Sequence, residues 1–138
     1  MPTPHKNKTF ATLLALVTGA VGAHRFYLRG SVDRLGLLHV ASLPVCGMIY
    51  GLAPEANWFF KMLPLLVSAI AGCIEALVLG LKSDALWDST YNAGSGRSSA
   101  SNWPLALLLV ATMLAGAILV IGTLARLFDL LYTGGAYG

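Results

Sequence analysis

Charge is what this chain has least of. Only 11% of its 138 residues are Asp, Glu, Lys or Arg, and the nine Lys and Arg stand singly rather than in runs. Without a basic cluster, or aromatic residues interleaved with basic ones, nothing here tracks a phosphate backbone, and no nucleic-acid partner is expected. Cysteine is almost absent. Cys46 and Cys73 both fall inside apolar runs, lack the local spacing of metal ligands and read as small hydrophobes in a core. Phosphate-binding loops are missing too. Neither Gly19-x-x-Gly22 nor Gly94-x-Gly96 follows a strand, and no lysine stands at the P-loop spacing after them. No nucleophile has a base at a readable distance along the chain. These absences point to a non-enzymatic protein with no catalytic residues, no metal and no cofactor.

What is present in quantity is apolar surface, with 57% hydrophobic residues and a mean hydropathy of +0.72. A helix crossing a hydrocarbon layer of about 30 Å needs about 20 mostly apolar residues. By that rule the chain reads as an all-α integral membrane protein, a single membrane domain over 1–138 with four transmembrane helices at about 9–28, 35–52, 62–81 and 104–125. The lipid bilayer is then the main partner. The first run is short, since Thr9 to Ala23 reaches only about 22 Å. A rival reading makes it a cleaved signal peptide, with Lys6 and Lys8 as the basic head and Val21-Gly22-Ala23 as the cleavage site. Against that, Ala11, Ala15, Gly19 and Ala23 form a small-residue stripe. A second stripe, Ser68, Gly72, Ala76 and Gly80, runs along the third span, and such stripes let helices approach closely.

Pro44 falls near the middle of the second span, where it should kink the helix and free a carbonyl for neighbours or Ser42. After the third span, Ser83 caps a candidate interfacial helix. Its Asp84, Trp87, Asp88 and Asn92 read as a loop surface, either docking surface or aromatic belt. The Gly- and Ser-rich stretch 93–102 is expected to be flexible.

Glu75 is isolated in the third span, and a lone carboxylate in hydrocarbon needs a partner. It lies seven residues before Lys82, about 10 Å below the face that also carries His24 and Arg25. His39, early in the second span, completes a polar cluster of His24, Arg25, His39 and Glu75. The bland reading is an Arg25–Glu75 pair that fixes helix register. The sharper alternative is a proton or ion path, which would make the protein a small channel or transporter. A haem held by His24 and His39 is a third possibility that nothing else in the sequence supports.

The stretch Gly19-x-x-Gly22-x-His24-Arg25-Phe26-Tyr27, closed by Gly30, resembles the turn motif of the TM2 domain family, small membrane proteins built on a helical hairpin. Arg29 stands where the family usually has glycine, with Gly30 one place later. The layout beyond the motif is similar to a four-helix bacterial branch, which implies a bacterial inner (cytoplasmic) membrane. Animal relatives are linked to signalling and phagocytosis, whereas bacterial ones mostly lack an assigned activity. The resemblance therefore implies a structural or interaction subunit, either a homo-oligomer or part of a larger membrane complex. Charge orients a four-span chain weakly. Five basic residues fall on the motif side and four on the other, and the resemblance tips both termini outward with the motif loop inside.

Overall fold

The structure, a computed structural model, describes residues 4–137, so the outermost positions of the expected 1–138 domain lie outside it. Among the described residues the regular elements are all helical: α1 (Lys8–Thr18), a 3-10 turn over Gly19–Val21, α2 (Ala23–Arg29), α3 (Arg34–Leu52), α4 (Trp58–Leu81), α5 (Asp84–Tyr91) and α6 (Trp103–Tyr132). Five of the helices begin on a side chain that accepts a backbone N–H of the first turn: Asn7 for α1, Asp33 for α3, Asn57 for α4, Ser83 for α5 and Asn102 for α6. Such caps satisfy donors that a helix start leaves orphaned.

Three helices are long and apolar enough to cross a membrane: α3, α4 and α6. Their 19, 24 and 30 residues correspond to about 28, 36 and 45 Å. The central member is α4, packed by α1, α3 and α6. Pro44 is accommodated inside α3, and the Ser42 hydroxyl donates to the His39 carbonyl at 2.7 Å.

The fourth crossing expected over about 9–28 is not formed. The segment breaks at Gly22, whose φ of 71° lies in the left-handed region and whose N–H closes the turn on the Gly19 carbonyl. A side chain there would be strained and would also press on the His39 Cβ and the Gly36 backbone. Beyond this break α2 doubles back along α1. The Tyr27 ring packs edge-on against Phe10 at 5.2 Å, the Tyr27 hydroxyl accepts the Asn7 N–H, and the Lys6 ammonium donates to the Leu28 carbonyl. Both ends of the hairpin therefore lie at the same end of the bundle. Its tip lies deep beside α4, where a Cβ added at Gly72 would stand 2.6 Å from the Gly19 Cα. Gly72 is nine residues short of the end of α4, or about 14 Å. The hydropathy of residues 9–28 reports that they are apolar, and a chain that enters and returns satisfies that as well as one that crosses.

At the outer end of the hairpin, the connection after α4 closes over the N-terminal segment. Trp87, expected on the loop surface, is instead fully buried with Ala11, Ala15, Leu28, Ala76 and Leu79. Its ring N–H donates to the Lys6 carbonyl, and the buried Asn92 carboxamide both accepts the Lys6 N–H and donates to the Lys6 carbonyl. A ring and an amide that find partners in the N-terminal segment gain by being covered, which is why this stretch is not a free surface. The Gly/Ser stretch 93–102 is likewise tied down: Ser99 bonds Asp88, and Ser101 bonds Asp84.

Candidate functional site: a buried ion cluster at the hairpin tip

Breaking a helix inside an apolar environment frees backbone groups that must find partners. At the tip of the hairpin the Ala20 carbonyl accepts the Ser68 hydroxyl of α4 at 2.6 Å. Ser68 has then committed its only proton, so it accepts from His39 Nδ1 at 2.7 Å, which places the His39 proton on Nδ1. The opposite ring nitrogen of His39, Nε2, stands 3.6 Å from Glu75 Oε1. Hydrogen bonds thus run from the hairpin tip through Ser68 of α4 to His39 of α3, whose far edge faces the carboxylate.

Glu75 is the hub. The Arg25 Nε donates to both of its oxygens, at 3.0 and 2.9 Å, the Arg25 Nη2 donates to Oε1, and the His24 Nε2 donates to Oε2. Arg25 Nη1 reaches Asp33 at 3.3 Å, and Asp33 also caps α3 through the Gly36 N–H at 2.7 Å. One aspartate thereby joins the turn between α2 and α3 to the ion cluster. Fork-to-carboxylate bonding of this kind is among the strongest polar contacts a protein makes. His24 is 1% exposed, and its Nδ1 is the one buried side-chain nitrogen or oxygen among the described residues without a hydrogen-bond partner.

The four residues singled out from the sequence, His24, Arg25, His39 and Glu75, are therefore assembled on α2, α3 and α4. Asp33 was missed, although an aspartate just before an apolar helical run is itself a cap signal. The motif residues divide by task. Gly19 meets Gly72 backbone to backbone, Gly22 turns the chain, Phe26 packs against Gly36, and Tyr27 staples the hairpin to Phe10 and Asn7. Gly30 closes α2 with φ 88°, so the left-handed step falls at Gly30 while Arg29 remains helical. Of the small-residue positions, Ala11, Ala15, Ala76, Gly72 and Gly80 are buried at the junction of α4 with α1 and α6, while Ser68 serves as a donor.

A second polar group, the latch, lies at the outer end. Lys8 is buried and donates to Asp84, to the Lys82 carbonyl and to the Ser101 hydroxyl. The Lys8 hydrogen bond, followed by the backbone and hydroxyl of Ser101, holds the Asp84 carboxyl down at about 2. Asp88 is also lowered, chiefly by the Ser99 hydroxyl and N–H. No group of three or more His, Cys, Asp or Glu among the described residues is placed to hold a metal ion.

Three helices of spanning length around an internal ion cluster define a membrane protein of the all-α class. Residues 4–52, the stretch that holds α1, α2 and α3, match the family model of the TM2 domain. Comparison with curated proteins and with solved structures returned no significant match. The matched region supplies His24, Arg25, Asp33 and His39, whereas Glu75 and Ser68 come from α4 outside it.

Proposed function

We propose that this is a non-enzymatic membrane protein, seated in a bacterial cytoplasmic membrane, in which α3, α4 and α6 cross and the α1–α2 hairpin enters and leaves by one face. It acts as an association module, either with further copies of itself or as a subunit of a larger membrane assembly. The observation that carries this reading is the closure of the ion cluster. The Glu75 carboxylate is engaged by Arg25 and His24, so its charge serves as a lock between helices rather than as a reagent. The long apolar faces of α3 and α6 remain for lipid or neighbouring helices, with Leu114 and Ile118 at 61% and 72% exposure.

With three crossings the charge distribution also favours one orientation strongly. Lys6, Lys8, Arg25, Arg29, Arg34, Lys82 and Arg97 gather on the hairpin face, and only Lys61 and Arg126 lie toward the other. Seven against two replaces the five against four of a four-span chain, and the positive-inside rule then puts the hairpin face in the cytoplasm. The two ends of the chain would lie on opposite sides, in place of the shared outward placement that four spans imply.

The association is tested with Leu114→Cys and Ile118→Cys in a Cys46→Ala/Cys73→Ala background, oxidised in native membranes and compared with the particle mass in mild detergent. A discrete crosslinked species is expected. A strictly monomeric particle, with no crosslink from α6 and no co-purifying subunit, overturns it. The channel alternative keeps one supporting feature, the His39–Ser68 relay beside Glu75. It would gain only if proteoliposomes showed a pH-dependent flux lost in Glu75→Gln.

A further inference from the structure

Between α2 and the last turn of α4 lies a recess of about 150 Å³. Three cations line it with one carboxylate: Arg25, Arg29 and Lys82 against Glu75. Arg25 is taken up by Glu75 and Asp33. Arg29 is left with Asp33 alone, at 3.6 Å, and its side chain is 54% exposed. Lys82 has no acidic partner among the described residues; its ammonium stands 5.2 Å over the Tyr91 ring, which also lines the recess. His24, with its unpartnered Nδ1, forms part of the wall. Lys82 without an acidic partner and Arg29 sharing Asp33 with Arg25 leave an excess of positive charge converging on one small concavity, a site for an anion.

The surroundings say what kind. Val78, one turn before Lys82, also lines the recess and is 55% exposed, and Leu81 beside it is 71% exposed. The cationic mouth therefore sits directly above an apolar flank of α4, the order in which a phospholipid presents headgroup and chains. The recess also opens on the face that carries seven of the nine basic residues. That face belongs to the leaflet richest in anionic lipid.

We infer that this recess binds the phosphate of an anionic phospholipid of the hairpin-face leaflet, with Arg29 and Lys82 as the paired cations and the Val78–Leu81 flank against the acyl chains. The inference rests on the membrane placement proposed above. That placement is read separately, by resistance of the full-length protein to carbonate extraction.

The test uses full-length protein in mild detergent, with bound lipid counted by native mass spectrometry after titration with phosphatidylglycerol or phosphatidylcholine. Inorganic phosphate and the soluble glycerophosphoglycerol headgroup are assayed in parallel by thermal stabilisation. Wild type should retain phosphatidylglycerol in preference to phosphatidylcholine. Arg29→Gln/Lys82→Gln should lose that preference by roughly 10- to 30-fold, about fivefold for each charge. Arg34→Gln/Arg97→Gln removes equal charge from the same face outside the recess and should change it by less than about twofold, a margin well short of one such charge. Arg29→Lys/Lys82→Arg should restore binding, which separates loss of the site from loss of the fold. Equal losses in the two neutralised pairs would mean diffuse surface charge and overturn the proposal, as would a wild type without headgroup preference. Stabilisation by inorganic phosphate alone, lost in Arg29→Gln/Lys82→Gln and without any preference for phosphatidylglycerol, would overturn the lipid assignment in favour of a free-phosphate site.

Discussion

Replacing Gly72 with alanine should loosen the hairpin tip, and the magnitude follows from the geometry. The added methyl would sit 2.6 Å from the Gly19 Cα and 2.7 Å from its carbonyl carbon, where ordinary contact begins at 3.4 Å. Both obstacles are backbone, so no side chain can rotate away, and the tip must retreat by about 0.8 Å, the shortfall in contact distance. Overpacking of this kind costs about 1–3 kcal/mol. The retreat also stretches the Ser68–Ala20 hydrogen bond from 2.6 Å, which weakens a contact worth about 1 kcal/mol. Alanine returns about 1 kcal/mol of helix propensity over glycine. A net loss of about 1–3 kcal/mol is expected. Gly47 in α3 serves as the reference, because a Cβ there meets nothing within 4 Å and Gly47→Ala should stabilise by up to about 1 kcal/mol. Reversible unfolding by SDS in mixed micelles measures both. If Gly72→Ala proves as stable as Gly47→Ala, the close approach of the tip to α4 is refuted. Combining Gly19→Ala with Gly72→Ala should cost less than the sum of the two, because one retreat relieves both clashes.

Two further outcomes concern the ion cluster and the latch. Glu75→Leu strands Arg25 and His24 inside the bundle and should cost about 3 kcal/mol, toward the low end for broken buried pairs because the carboxylate is 23% exposed. Cys73→Ala, which removes one sulfur from an apolar wall, should cost about 1 kcal/mol; equal unfolding midpoints would sink the lock. For the outer latch, Asp84 sits at about 2 when folded against an ordinary value of 3.8. A carboxyl lowered on folding stabilises above its unfolded value and loses that contribution as pH falls through its folded one. The N-terminal segment should therefore hold at pH 5 and open between about pH 4 and pH 2, read as a loss of amide protection, relative to the unstructured rate at each pH, at Lys6, whose N–H is held by Asn92. Asp84→Asn should open it at neutral pH and flatten that dependence.

Much of the architecture was written in apolar run length. The runs at 35–52, 62–81 and 104–125 became α3, α4 and α6, and the lone Glu75 announced that charged partners had to come to it. The hairpin was not legible in the same way. Hydropathy carries no direction, and the two signs of a return, a run of only about 22 Å and the paired glycines at 19 and 22, fit a surface turn equally well. Trp87 misled for a related reason. An indole at a helix end near a membrane face normally anchors in headgroups, and only the return of Lys6 to that face supplies the carbonyl that draws its N–H inward. Lys8 gave no hint of burial at all, since Asp84, which compensates it, lies 76 residues away.

The hairpin has a consequence for how the protein is made. Residues 8–29 leave the ribosome long before Ser68, Gly72 and Glu75, the residues that satisfy their carbonyl, seat their tip and neutralise their arginine. Until α4 arrives, the nascent hairpin carries an uncompensated guanidinium and a broken backbone that hydrocarbon tolerates poorly. It must wait at the interface or in the care of the insertion machinery. The hairpin therefore settles only after a helix made much later than itself has arrived, and for these elements assembly runs against the order of the chain.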